Sequence, residues 1–378
     1  MPDESLRSFA DSFADLPDPR MERTRKHNLL EIIAIAIFAV VAGADSFTDM
    51  EEYGTAKALW LRGFLTLPNG IPSHDTFGRV FGLLDPERFA ASLNEWVAQS
   101  VGLVDAQQIA IDGKTLRRSH DRTTGKSALH LLSAWATESG ISLGQLKVAG
   151  HENEIVALPA LIEQVVMPGA VVSIDAIGCQ RAVARAITAA GGDYVLALKG
   201  NQPDLHEAVQ VLFGEGADDA IAAETVTHAR TVDGGHGRVE RRECWAAAGA
   251  DLISYLDPDD RWRGLQSVVM VKTERTTRDS THFETRYYLS SLPPNAERIN
   301  ELVRQHWSIE NQLHWVLDVI FDEDQSRVRS GYADQNFAAL RRFAVGLLTT
   351  DTSRKMSKRA KRLRAGWDDD FLLQLLSQ

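Results

Sequence analysis

The chain has 378 residues, 44% hydrophobic and 25% charged, with a formal net charge of −11 at pH 7. This is the composition of an ordinary globular protein, long enough for one large domain or two around a packed core. The acidic balance excludes a chain that coats nucleic acid indiscriminately, because phosphate binding draws on Lys and Arg.

The opening stretch MPDESLRSFADSFADLPDPR begins acidic and has no apolar segment, so no secretory leader is expected, and the chain is expected in the cytoplasm. The apolar run IIAIAIFAVVAGA at 32–44 follows Glu31 and falls short of the roughly 20 residues a bilayer needs, which predicts a buried helix. Residues 1 to about 90 read as helical. Ser46 or Thr48 caps a helix with Glu51 or Glu52 in its first turn, and Pro68, Gly70 and Pro72 break the chain. Ser73 then caps a short helix, and Asp85-Pro86 opens another. Two short helices joined by a turn fit a helix-turn-helix, a pattern shared with many packing units.

From about 107 the texture changes. QQIAIDGKTLRR is a strand whose β-branched run ends at Asp112-Gly113, and 127–150 alternates as a hairpin turning at Glu138 to Gly140. ALPALIEQVV is a helix entered through Pro159. GAVVSIDAIG is a second buried strand, ending in Asp175. A helix over QRAVARAITAAGG stops at Gly191-Gly192, and DYVLALKGNQ is a third apolar strand. Strands interleaved with helices predict an α/β sheet. Residues 205–222 read as a helix running into an acidic loop, and about 224–292 as a β-rich insertion or sheet extension. Helix returns over 295–321, with Asn295 as its cap. Cys179 and Cys244 have no CxxC or Cys/His spacing around them, which points to neither zinc nor a disulfide framework.

Two Asp residues at the ends of apolar strands, with a Glu on a later helix, form the minimum set for holding two divalent metals, since hard cations prefer carboxylate oxygen. A two-metal site activates a water or hydroxyl on one side of a phosphodiester and stabilises the leaving oxygen on the other. At about 100° per residue, Ile309, Leu313, Val316 and Ile320 form the core side of the 295–321 helix. Glu310 lies on its flank with Trp307, Asn311, His314 and Asp318, and Asp318 points further towards solvent. Trp307 lies outside the apolar stripe and could stack on an unpaired base, whereas Trp315 is expected to pack. Positive charge concentrates at 20–27, 114–122, 236–242 and 354–364.

In this order, IAIDGKTLRRS, SIDAIGCQ, LALKGNQ, HGRVERR and HWSIENQLHWVLDVIFDED resemble the DDE transposases of bacterial insertion sequences, in particular the H-repeat-associated group. IPSHDTFGRVFGLLDPERF resembles the region associated with the same group. The resemblance spans about 15 to 350 and implies an RNase H-like catalytic core, a mixed sheet flanked by helices. It implies a β-rich insertion at about 224–292 within a 96–350 catalytic domain, an N-terminal helical DNA-end-binding domain at 1–95, and a basic tail with a short helix at 351–378. It further implies that Asp112, Asp175 and Glu310 bind two Mg²⁺ or Mn²⁺ ions for nicking element ends and joining the freed 3′-hydroxyl to target DNA. The partner is then DNA, in a nucleoid-associated homodimeric complex. Lys114, Arg117, Arg118, Lys199, Asn201, Arg238, Arg242, Arg304, His306, Trp307 and His314 are the DNA-binding candidates. Related transposases carry Tyr, Arg and Lys seven before, four before and seven after the Glu, where this chain has Val303, His306 and Leu317. Arg304 and His314 are the candidates to take over that groove. A stand-alone nuclease and a silent DNA-binding relic are the competing functions.

Overall fold

A computed structural model of the chain describes residues 8–101, 107–120, 125, 127–148, 153–214, 225–235 and 237–377. Nine strands occupy Gln108–Leu116 (β1), Leu129–Ala136 (β2), Ile141–Val148 (β3), Val171–Ile174 (β4), Asp193–Leu198 (β5), Thr225–Gly235 (β6), Arg238–Ala248 (β7), Ser267–Thr277 (β8) and Thr281–Ser290 (β9). They form one sheet in the order β3-β2-β1-β4-β5-β9-β8-β7-β6. Strands β1, β4 and β5 run parallel, while β2 and β3 form an antiparallel hairpin on one side. The β-rich stretch after 224 is a sheet extension, joined through the antiparallel pairing of Val195 with Ser290 and Leu198 with Tyr287. Its register continues without a break through β8, β7 and β6.

The N-terminal helices are α1 (Leu29–Ala42), α2 (Phe47–Ala56), the single turn α3 (Ala58–Leu61), α4 (His74–Leu83) and α5 (Pro86–Val101). Ser46 Oγ accepts from Asp49 N at 3.2 Å, and Asp85 Oδ1 accepts from the Glu87 and Arg88 amides, so both caps form as expected. Ser73 makes no side-chain cap; its hydroxyl lies 3.2 Å from that of Thr76 instead. Between the strands lie α6 (Glu154–Val165), α7 (Arg181–Ala189), α8 (Pro203–Leu212) and α9 (Ala250–Leu256). Helix α6 begins before Pro159, which sits inside it. A proline there removes one backbone hydrogen bond near the start of the helix without ending it.

The 295–321 stretch is broken. An α-helix, α10 (Ala296–His306), capped by Asn295, gives way to a π-helical turn over Ile309–His314 and then to α11 (Trp315–Val319). The wider turn lets the burial pattern slip from ideal α periodicity. Ile309, Leu313 and Val316 are buried as expected, but so are Leu317 and Phe321, while Ile320 is only partly covered and Trp315 is 54% exposed. Helices α12 (Ala333–Thr350), α13 (Lys358–Trp367) and α14 (Asp369–Leu376) complete the chain.

Side-chain alternation on β1 separates two cores. Ile109 and Ile111 face the cluster beneath α6 and α7, and Ala110 faces the helical layer built from α1, α4, α5, α11 and α12. Every residue of α1 from Ile32 to Val41 is nearly or fully buried, because α2, α12, α13 and α14 pack around it. The 351–378 segment is therefore two packed helices and not a tail. Lys361 bonds the Leu348 and Asp351 carbonyls, and Arg362 bonds Asp45 and the Ala44 carbonyl. No single helix among the described residues is long and apolar enough to cross a membrane.

Candidate active site

Ile111 on β1 pairs with Ile174 on β4 in parallel register, so Asp112 and Asp175 follow side by side, about one strand spacing apart. Asp112 points to the same sheet face as Ala110, where the π turn crosses it. There His314 Nδ1 lies 3.5 Å from Asp112 Oδ2 and 3.1 Å from Glu310 Oε2. Asp175 caps a short 3₁₀ turn, its Oδ1 accepting from Ile177 N at 3.1 Å. The sheet thus supplies two carboxylates and the π turn a third.

The electrostatics suit a cation. Burial pushes the Asp112 carboxyl up to about 6, with His314 opposing the rise and Asp175 adding to it. Burial also raises Asp175, against the Ile177 and Gly178 amides, and Glu154 adds to the rise. Glu310, half exposed, is held below the usual carboxylate range by its hydrogen bond from His314. Asp112, Glu310 and His314 each offer one ligand atom, and these atoms lie within 4.8 Å of one another. Converging carboxylates, of which the Asp112 carboxyl is disfavoured as an anion by its own burial, fit a divalent ion.

Behind the site, on the α6 side, Thr115 Oγ1 lies 2.7 Å from His130 Nδ1, and His130 Nε2 bonds the buried Glu154. A Cβ on Gly113 would sit 2.8 Å from Glu154 Oε1 and 3.0 Å from His130 Nε2. Glycine is required between Asp112 and that pair. Sequence reasoning missed all three residues, although a His in the otherwise apolar LHLLSAWA was a visible signal.

The DNA-binding candidates divide. Arg238, Arg304 and Trp307 line a groove of about 1060 Å³ between β6–β9 and α10, together with Asn311 and with Arg275 and Arg286, two arginines the sequence did not single out. Arg304 pairs with Asp233, and the Arg286 guanidinium stacks 4.5 Å from the ring of Trp307. Arg242 reaches the same groove but is 6% exposed, so it forms part of the floor. Arg117 and Arg118 are exposed after β1, Arg117 beside Asp324 at 3.3 Å. Lys199 is exposed beyond β5 and shares a small cleft with Asp175. Asn201 donates to the Ala176 and Cys179 carbonyls, holding the loop after Asp175.

Three candidates are committed elsewhere. Lys114 is almost covered, paired with Asp318 and lying 3.3 Å from Glu323. His306 lies 3.0 Å from Ser173 Oγ, and burial pushes it down to about 4, so it carries no charge for a phosphate near neutral pH. His314 is buried against the two carboxylates and does not line the groove. Val303 and Leu317, where related transposases carry Tyr and Lys, are core residues.

Residues 96–347 match the family described as "Transposase DDE domain", and residues 10–97 match "DDE_Tnp_1-associated". The chain belongs to this DDE transposase family. It is 45% identical over 281 residues to a Xanthobacter autotrophicus protein named "Uncharacterized protein in dhlA 3'region", covering 74% of this chain and 92% of that one. It is 32% identical over 381 residues to Escherichia coli K12 "H repeat-associated putative transposase YhhI", covering 98% of each. Among solved structures it is similar to a piggyBac transposase synaptic complex with hairpin DNA, at 12% identity and a TM-score of 0.45, over 99% of this chain and 82% of that one.

Proposed function

We propose that the chain is a working DDE transposase that cleaves the ends of a mobile DNA element and joins the freed 3′-hydroxyl to target DNA. The observation that carries this reading is the meeting of Asp112 with Glu310 and His314 beneath the π turn, with Asp175 following Ile174 on the strand beside β1. The β3-β2-β1-β4-β5 half of the sheet, backed by α6 and α7, supports an RNase H-like core.

In this reading Asp112 and Asp175 hold two Mg²⁺ or Mn²⁺ ions from the sheet side and Glu310 from the helical side. When bound, the ions supply activation of the attacking water or hydroxyl and neutralise charge on the phosphodiester. Arg238 and Arg304 grip phosphates along the groove, and Trp307 offers a ring face to a base. The N-terminal helices recognise element ends, and two copies assemble on paired ends.

The test is strand transfer with Mg²⁺ or Mn²⁺ on DNA taken from both flanks of the reading frame, where inverted repeats are expected. Glu310→Gln is expected to abolish cleavage while end binding stays measurable. Full activity in that variant, with loss in Asp318→Asn or Asp322→Asn instead, overturns the choice of carboxylate. Cutting without joining moves the function to a nuclease.

A further inference from the structure

We infer that Nδ1 of His314 is a direct ligand of the divalent ion held by Asp112 and Glu310, a nitrogen donor within an otherwise oxygen-donor site. The inference rests on the metal-dependent reading above. Donor atoms about 2.1 Å from a six-coordinate cation stand about 3 Å apart when adjacent. The His314 Nδ1 separations of 3.1 Å from Glu310 Oε2 and 3.5 Å from Asp112 Oδ2 are close to that spacing. The imidazole is 3% exposed, so it is held in place by packing and is out of reach of a DNA strand.

Three features separate a ligand from a bystander. Glu310 and His314 lie on the same π turn, so one backbone feature fixes both donors, and such turns recur at functional sites. Asp175 does not belong to the group of mutually close ligand atoms, so an ion seated by Glu310 has two carboxylates and needs a further protein donor or water. On the far side of the ring, Nε2 has no hydrogen-bond partner among the described residues. Ion binding would move the ring proton from Nδ1, where it donates to Glu310, to this unpartnered Nε2, and so turn the Nδ1 lone pair towards the ion.

An imidazole nitrogen shifts a site's preference away from Mg²⁺ and towards Mn²⁺, Co²⁺ and Zn²⁺. The sequence position explains why this escapes a motif search, since four residues past the Glu is neither the Arg nor the Lys position of related transposases.

The experiment is pulsed EPR of Mn²⁺ bound to the full chain, prepared with natural-abundance and with ¹⁵N-labelled histidine. The expected result is a histidine nitrogen coupling in the wild type that is lost in His314→Gln, with Mn²⁺ affinity falling about tenfold and Mg²⁺ affinity changing less. Bound Mn²⁺ without histidine coupling in the wild type overturns the inference and needs no variant to fold. A coupling that persists in His314→Gln also overturns it. If Mn²⁺ binds and Asp112→Asn abolishes that binding, yet no nitrogen is seen, only this inference fails. If the wild type binds no Mn²⁺ at all, the metal-dependent reading fails with it.

Discussion

Asp112 sits where the fold works against itself. Its carboxyl moves from 3.8 to about 6, chiefly through burial, and at about 1.4 kcal/mol per tenfold change in proton affinity that gap is worth roughly 3 kcal/mol. Because the folded value is the higher one, this stability is fully present below about pH 4 and is lost as pH rises through about 6. Thermal melts in EDTA are therefore expected to show Asp112→Asn unfolding several degrees above the wild type at pH 7.5, with the difference shrinking towards pH 4. Mg²⁺ or Mn²⁺ should raise the wild-type melting temperature at pH 7.5 and leave Asp112→Asn nearly unmoved. An Asp112→Asn variant no more stable than the wild type at pH 7.5 would contradict the strain assigned to this site. The three acidic residues were legible because each has a local signature, two at the ends of short apolar strands and one on the flank of an apolar stripe. The basic residues were legible only in part: Arg238 and Arg304 line the groove as residues of that charge could, but Lys114 does not, because charge is visible in sequence and prior commitment is not. Lys114 is spent on partners about 200 residues away, and nothing in KTLRRSHDR reveals that.

At the scale of elements, those same partners explain the acidic end of the 306–324 stretch. Glu323 is completely covered. Burial alone would raise its carboxyl, but Arg342 on α12 and Lys114 on β1 hold it below the usual range. Arg342 also donates to Ser133 on β2, so one buried carboxylate ties β1, β2 and α12 together directly beneath the π turn. Removing one member of a buried ion cluster leaves the others uncompensated, at a cost of about 3–5 kcal/mol. Glu323→Ala is accordingly expected to lower the unfolding free energy obtained from chemical denaturation by that amount. Asp318→Asn, whose partially exposed carboxylate meets only Lys114, should cost about 1 kcal/mol or less. Equal losses from the two would remove the distinction. The π turn itself had no sequence signal: its apolar spacing imitates an α-helix, and the slip shows only once burial is known, in the covered Leu317 and Phe321 and the exposed Trp315.

For the whole molecule, helices from both ends of the chain share one core with the middle. Phe9, Phe13 and the run Ile32 to Val41 of α1 lie in the same cluster as Ile309, Leu317, Phe337, Leu372 and Leu376. The boundaries expected near 95 and 350 therefore separate segments of sequence that pack around a common interior. Removing residues 1–90 to test DNA-end recognition would strip that interior, so substitutions of exposed side chains are the cleaner probe. Conversely, a chain ending at Ser357 loses Ala365, Phe371, Leu372, Leu375 and Leu376 from the core, and with them the packing that closes over α1. It is expected to be insoluble or to show no cooperative melt, and a soluble, cooperatively melting product would refute this. The same closure has a consequence in time. During synthesis α1 is made about 300 residues before α13 and α14, the helices that cover it. Until those helices arrive the apolar surface of α1 lacks part of its cover, which makes the nascent chain more prone to non-native association than the folded one.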